Sequence, residues 1–296
     1  MPSLDNLCRS YLIKKCVGIL KTRLLPFLEN TTFCKASQLT RIGLNQHFKQ
    51  GQYLLSKYGE KSYELRSTSY SRTILSLLSL LSGLSYNFTL PIRPIHASSL
   101  LPKNDQKCPN RDFYNKLIPN RNNWEDSRTL RKSLKNKFGE DHILPLFEIL
   151  TQKECSGNLS DISEKNISDF VYLYEKNYRK RWNDINFQKD SFLTIYSFLV
   201  NIFYNLETFE IYAGHDMNIE AILGGLGFPI FSKIPFASRI VFEIWKSNEV
   251  YFVKFLYNGE LLATFRDGLE IVENRLKFLF PNITSFQNAC NEKILF

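Results

Sequence analysis

The segment YAGHDMNIEAILGGLGF, residues 212–228, sets two side chains capable of proton chemistry, His215 and Asp216, between a short apolar run, FEIY, and a periodic apolar stretch. FEIY reads as a strand. Ile219, Ile222, Leu223 and Leu226 recur at helical spacing, so a helix is expected from near Asn218. An earlier segment has the same grammar. YEL leads into Arg66, and Ile74, Leu77, Leu78 and Leu81 stripe a following helix that Ser67, Thr68 or Ser69 can cap and Gly83 ends. Both segments put polar side chains where a strand ends and a helix begins, the edge at which open α/β sheets bind ligands. Helix N-termini add unpaired N–H groups and the positive end of a dipole, which suit phosphate. The pattern points to an anion site made from Arg66, His215 and Asp216. Such a trio supports phosphate monoester hydrolysis without a metal or other cofactor. The arginine fork grips phosphoryl oxygens, a histidine shares their charge, and a carboxylic acid protonates the departing alcohol. Taken alone, His215–Asp216 also fits a turn with a satisfied histidine, and Arg66 an ion-pair partner.

The elements that must position these residues are legible from period and punctuation. Residues 38–58 read as a helix carrying Leu44, Phe48, Leu54 and Leu55, and Tyr63–Leu65 as a short strand. LPIRPIHAS, 90–98, is extended, because two prolines forbid a helix. Residues 110–205 read as helical, with breaks near Pro145, Gly157 and Asn183, and form an inserted lobe. RIVFEIW and VYFVKFLYN make a hairpin around KSNE. The last thirty residues read as a helix and a tail bearing Cys290. Gly224, Gly225 and Gly227 follow the helix stripe rather than a strand, so they mark a helix terminus and not a phosphate loop. His47 reads as a structural helix residue, and His96 as pocket-lining or hydrogen-bonded in the core. No internal repeat or low-complexity linker occurs. The fold class is α/β, a mixed sheet flanked by helices with an inserted helical cap.

Composition narrows the function classes. The 296-residue chain carries a net charge of +9, which suits a solvated lysine-rich surface or an anionic ligand. Nucleic acid is not an expected partner, since no aromatic RNA-binding pattern or zinc-finger spacing accompanies the charge. RTLRKSLKNK, 128–137, has the spacing of an exposed helix face. No stretch of eighteen apolar residues is present, so no membrane span is expected. The first residues, MPSLDNLCRSYLIKKCVGILKTR, make a poor signal peptide. Six cysteines (8, 16, 34, 108, 155 and 290) are dispersed without a C-x-x-C pair, against zinc or thioredoxin-like chemistry. Five N-glycosylation sequons, at Asn30, Asn87, Asn158, Asn166 and Asn282, favour the secretory pathway with those cysteines. An incomplete N-terminus is expected to reconcile this with the missing signal peptide.

Taken in order, these residues resemble the histidine acid phosphatases, a branch of the histidine phosphatase superfamily. QLTRIGLNQHFKQGQYL is similar to the family's helix after its first strand, LRSTSYSRTILS to its R-S-T…R-T segment, and PIRPIHAS followed by CPN to its P-I-x-x-H…C-P stretch. AGHDMNIEAILGGLGF is similar to its H-D motif, and PFASRIVFEIW with VKFLYNG to its closing strands. Within that branch FCKASQLTRIG, CPNRDFY, LYNG and SFQNACNEKILF resemble 2-phosphoxylose phosphatases. The resemblance implies that Arg66 and His215 bind the phosphoryl group, that Asp216 donates the proton, and that Arg72 is structural. It pairs Cys108 with Cys290. It also implies a substrate in the phosphorylated xylose that joins glycosaminoglycans to core proteins, and the Golgi lumen as the place; lysosomal or extracellular residence also fits the sequons.

One departure is plain. The family's nucleophilic histidine lies in R-H-G-x-R-x-P after the first core strand. Here the four histidines, 47, 96, 142 and 215, are followed by Phe, Ala, Ile and Asp, so no His-Gly pair exists. Residues 1–29 therefore read as a divergent segment that lacks the first core strand. Residues 30–296 read as the phosphatase-like domain, with its cap at about 96–190. The expectation is an acid phosphatase-like protein, impaired in this chain, with a truncated gene as the cause. The alternatives are a non-catalytic relative that binds phosphorylated sugar, and a basic structural or polyanion-binding protein.

Overall fold

The computed structural model describes residues 39, 41–85, 91–102, 107–119, 127–140, 142–143, 146–147, 149–150, 163–206, 208–229, 233–248 and 250–291. The expectations for residues 1–29, for Cys8, Cys16, Cys34 and Cys155, for the sequons at 30, 87 and 158, and for the breaks at Pro145 and Gly157 lie outside these residues. The described chain divides into two compact units.

In one unit, helix α1 (Arg41–Tyr58), strand β1 (Tyr63–Ser67), helix α2 (Ser71–Gly83), strand β2 (Arg93–Pro94) and strand β3 (Phe209–Ala213) come together. The strands are all parallel, in the order β2-β1-β3, with Arg66 paired to Arg93 on one side and to Tyr212 on the other. Alternation along β1 sends Leu65 into the core and turns Glu64 and Arg66 the other way. That core is Leu65, Leu77, Leu81 and Leu84, flanked by Leu54, Leu55, Ile92, Ile211 and Ala213. Leu77 and Leu81 of the stripe expected on α2 thus lie in this core. Its start differs from expectation: Tyr70 occupies the N-cap without a side-chain cap, and the Ser67 hydroxyl instead donates to the Thr68 carbonyl at 2.9 Å. Buried Ser67 and Thr68 continue the strand layer, and the Thr68 N–H reaches the Ala213 carbonyl at 3.2 Å.

Helices α1 and α2 approach so closely that side chains are excluded at the crossing. A Cβ on Gly51 would collide with the Leu80 carbonyl oxygen, and one on Gly83 with the Phe48 carbonyl oxygen. The Ser79 hydroxyl donates to the Leu44 carbonyl at 2.6 Å in the same contact.

The other unit holds helices α3 (Pro109–Leu117), α4 (Arg128–Phe138), α5 (Glu164–Trp182), α6 (Ile185–Tyr204) and α7 (Asp216–Leu226). Strands β4 (Ile240–Ser247), β5 (Val250–Tyr257) and β6 (Glu260–Phe265) and helices α8 (Gly268–Leu279) and α9 (Phe286–Asn291) complete it. Strands β4, β5 and β6 form an antiparallel sheet, β4 and β5 being the expected hairpin. Strand β6 was not anticipated, and the tail bearing Cys290 is itself a short helix. Four-residue spacing on α5 stacks Tyr174, Tyr178 and Trp182 into a ladder that continues to Phe147 and Phe187. Phe228, Phe242 and Phe255 gather on the sheet's buried face. Gly227, left-handed at φ 85°, ends α7, as its glycines led us to expect, and Asn183 ends α5. Helix α4 buries only Leu134, so its basic residues form a solvated face. A Cys108–Cys290 disulfide joins the start of α3 to α9, and buried Asn110 donates to the Ala289 carbonyl at 2.9 Å beside it.

Two consequences are measurable by denaturation. Gly83→Ala must push α1 from α2 and is expected to cost about 1–3 kcal/mol, the usual range for overpacking; an unchanged unfolding midpoint would show that the helices separate freely. Cys108→Ser with Cys290→Ser is expected to cost about 2–5 kcal/mol, and stability equal to that of the parent would contradict a structural role for the bridge.

Candidate functional site

Arg66 lies at the end of β1 with its guanidinium mostly buried. Its Nη2 contacts Glu64 Oε2 and Glu210 Oε1, both at 3.0 Å, and its Nε reaches the same Glu210 oxygen at 3.3 Å. The second Glu210 oxygen accepts from the Tyr212 hydroxyl at 2.9 Å. Arg93 approaches Glu64 Oε2 at 3.3 Å. The register explains this cluster: Glu64 and Glu210 are paired across β1 and β3, so two carboxylates face each other and repel unless a cation lies between them. Burial disfavours the Arg66 cation, but Tyr212 and the Glu210 and Glu64 carboxylates together outweigh it and raise its pKa. Arg66 is therefore the ion-pair partner that one reading of the sequence foresaw. Its Nη1 has no hydrogen-bond partner among the described residues. Arg72 sets its guanidinium over the Tyr70 ring, 4.6 Å from the centroid, at the start of α2.

His215 and Asp216 lie in the other unit, where the chain turns from Gly214 into α7. His215 is the N-cap and Asp216 the first helical residue. Buried Asn218 holds the corner. Its Oδ1 accepts from the His215 N–H at 2.8 Å, and its Nδ2 donates to the Ala97 carbonyl at 2.7 Å and the Ser98 carbonyl at 3.3 Å. Gly214 allows this approach, because a Cβ on it would sit 2.6 Å from Asn218 Oδ1 and 2.9 Å from the Leu100 side chain and displace both. Asp216 is exposed, and one carboxylate oxygen accepts from the Met217 N–H at 3.0 Å. It thus lies at the positive end of the α7 dipole. Asn218 was missed as a functional candidate; its signal was an amide three residues after a capping position.

The loop that Asn218 grips contains His96, which is exposed rather than part of the core. Its Nδ1 lies 2.9 Å from the Ser98 hydroxyl and accepts from the Ser98 N–H at 3.3 Å. His47 is a helix residue whose pKa burial lowers. Glu220, one turn into α7, is buried and accepts from the Tyr178 hydroxyl at 2.7 Å. The described His, Cys, Asp and Glu residues nowhere gather in the threes that would hold a metal ion. No described helix is long and apolar enough to cross a membrane.

Asp190 on α6 is strongly perturbed. Burial pushes its pKa up to about 6, against the pull of Arg111 and Arg181, and Asp112 adds to the rise. A carboxyl whose folded pKa exceeds its unfolded value binds protons more tightly when folded, so its contribution is complete below about pH 4 and is lost as pH climbs through about 6. Asp190→Asn is therefore expected to be more stable than the parent at pH 7 by about 1–3 kcal/mol and equal to it near pH 4. A pH-independent difference would exclude this origin. Asn218→Ala, which orphans one N–H and two carbonyls, is expected to cost about 2–4 kcal/mol and to speed amide exchange at His215. Unchanged exchange would remove Asn218 from its positioning role.

Comparison with known proteins places these features in context. The chain is 25% identical to 2-phosphoxylose phosphatase 1 of Xenopus tropicalis over 334 residues, covering 91% of this chain and 65% of the relative. It is 24% identical to that of Homo sapiens over 282 residues, covering 79% and 57%. The chain spans about three fifths of the length of the curated relatives it matches. No family model matches it. Among solved structures, the phytase from Citrobacter braakii superposes with a TM-score of 0.54 at 14% identity, over 77% of each chain. In sequence the chain is similar to the 2-phosphoxylose phosphatases, and its α/β fold is similar to that of the phytase.

Proposed function

We propose that this chain is a phosphatase-like protein whose ligand is a phosphate monoester, with 2-phosphoxylose as the substrate class. Arg66 and His215 hold the phosphoryl group, and Asp216 supplies the proton to the departing alcohol. The observation that carries this reading is the His215–Asp216 corner. Its main chain is pinned by buried Asn218, while the Asp216 carboxyl stays exposed at a helix N-terminus. The ordered similarity to 2-phosphoxylose phosphatases, over most of the chain, supports the choice of ligand. Residues 30–296 act as one phosphatase-like domain with a helical cap at about 96–190. The Cys108–Cys290 bridge and the exposed sequon asparagine Asn282, in a turn, support the secretory pathway, with the Golgi lumen as the compartment.

Hydrolysis is impaired in this chain. None of its four histidines is followed by glycine, so no residue matches the nucleophile of the histidine acid phosphatases, and loss of a nucleophile removes nearly all rate enhancement. This favours a second reading, a non-catalytic relative that retains the phosphosugar pocket.

The test uses the 296-residue protein with 2-phosphoxylose and with an activated aryl phosphate. The expected result is saturable binding, weakened about tenfold or more by His215→Ala, the loss of one charged hydrogen-bonding partner, with turnover near background. Rates ordinary for enzymes, about 1–1,000 s⁻¹, would overturn the impairment. Absence of saturable binding would overturn the ligand. Any residual turnover should fall in Asp216→Asn more steeply for the sugar phosphate than for the aryl phosphate, since the poorer leaving group needs the proton more.

A further inference from the structure

We infer that Glu210 sets the phosphate affinity of this protein by competing for Arg66; the inference rests on the reading of Arg66 as a phosphoryl ligand. An arginine offers five N–H donors, and its most effective grip on a phosphoryl group uses two parallel ones. Here the Nε–Nη2 edge is already spent. Both donors converge on Glu210 Oε1, at 3.3 and 3.0 Å, and Nη2 also reaches Glu64 at 3.0 Å. Only Nη1 has no partner among the described residues. The guanidinium therefore meets a phosphate end-on, through one nitrogen, rather than through its fork.

Charge compounds the geometry. Glu64, Arg66, Arg93 and Glu210 sum to zero, so the sheet face carrying the candidate ligand has no net attraction for a dianion. The two carboxylates do not act equally. The Glu210 side chain is 9% exposed and receives both donors of the arginine edge, with its second oxygen fixed by the Tyr212 hydroxyl. Glu64 is 35% exposed and shared with Arg93. Screening by water weakens the influence of Glu64, whereas that of Glu210 is felt almost fully. Glu210 is thus a specificity-determining residue. It fixes the orientation of Arg66 and keeps phosphate affinity low until a ligand brings binding energy from elsewhere.

Glu210→Gln separates these two effects, because the amide oxygen still accepts from Arg66 while the charge is gone. Titration calorimetry with inorganic phosphate on the 296-residue protein is expected to show about tenfold tighter binding in Glu210→Gln, as removal of a nearby partly buried charge implies, and a smaller gain in Glu64→Gln. The double variant Arg66→Gln/Glu210→Gln removes the ligand without leaving an extra buried charge, and is expected to lose binding. Unchanged or weaker binding in Glu210→Gln, with loss in the double variant, would overturn the competition while leaving Arg66 as a ligand. Binding in the double variant equal to that in Glu210→Gln would overturn the role of Arg66 itself. Circular dichroism of each variant guards against loss of fold.

Discussion

One guanidinium lies between the paired carboxylates of β1 and β3. The register that buries Leu65 and Ile211 on one face sets Glu64 directly against Glu210 on the other. Two facing carboxylates on adjacent strands repel, and that penalty is removed by a counter-charge between them. Arg66, one pleat along the same face, supplies it, touching both at 3.0 Å. The apolar face gives the sheet its energy, and the polar face gives that energy a single register. A slip by one residue would turn Leu65 to the polar side and separate Arg66 from both acids.

A comparable economy governs the other corner. A turn into a helix leaves N–H groups without partners, and a loop packed beside it leaves carbonyls in the same condition. Asn218 answers both with one side chain, since an amide both accepts and donates. Its acceptor meets the His215 N–H, and its donor meets the Ala97 and Ser98 carbonyls. The close approach this requires leaves no space for a Cβ at Gly214. His215 and Asp216 are therefore positioned through the backbone, with the Asp216 carboxyl exposed.

Much of this was legible from residue order. The stripe Ile74, Leu77, Leu78 and Leu81 announced α2, the stripe after Asp216 announced α7, and the prolines of LPIRPIHAS announced an extended segment. These features are local, so period and punctuation suffice. The features that escaped depend on distance in sequence. Strand β6 exists because β5 offers it an edge to pair with. The failure of Ser67 and Thr68 to cap α2 follows from their capture by the strand layer, where both are buried. The partners of Asn218 lie 120 and 121 residues away, and Glu210 lies 144 residues from Arg66. No window on the sequence joins them.

The R-S-T segment shows why a legible motif is not yet a legible site. Strand alternation fixes that Glu64 and Arg66 share a face, and this much follows from a period of two. That Glu210 arrives on the same face follows only from the parallel pairing of β3, which tertiary packing decides. An arginine at a strand end carries opposite meanings in the two circumstances. With its fork open it is a phosphate ligand waiting for charge. With its fork closed on a carboxylate it is a structural cross-link that a ligand must compete to open. Arg66 has the second form and the sequence context of the first. The strength of the proposed site is therefore set less by the arginine than by the acids that hold it.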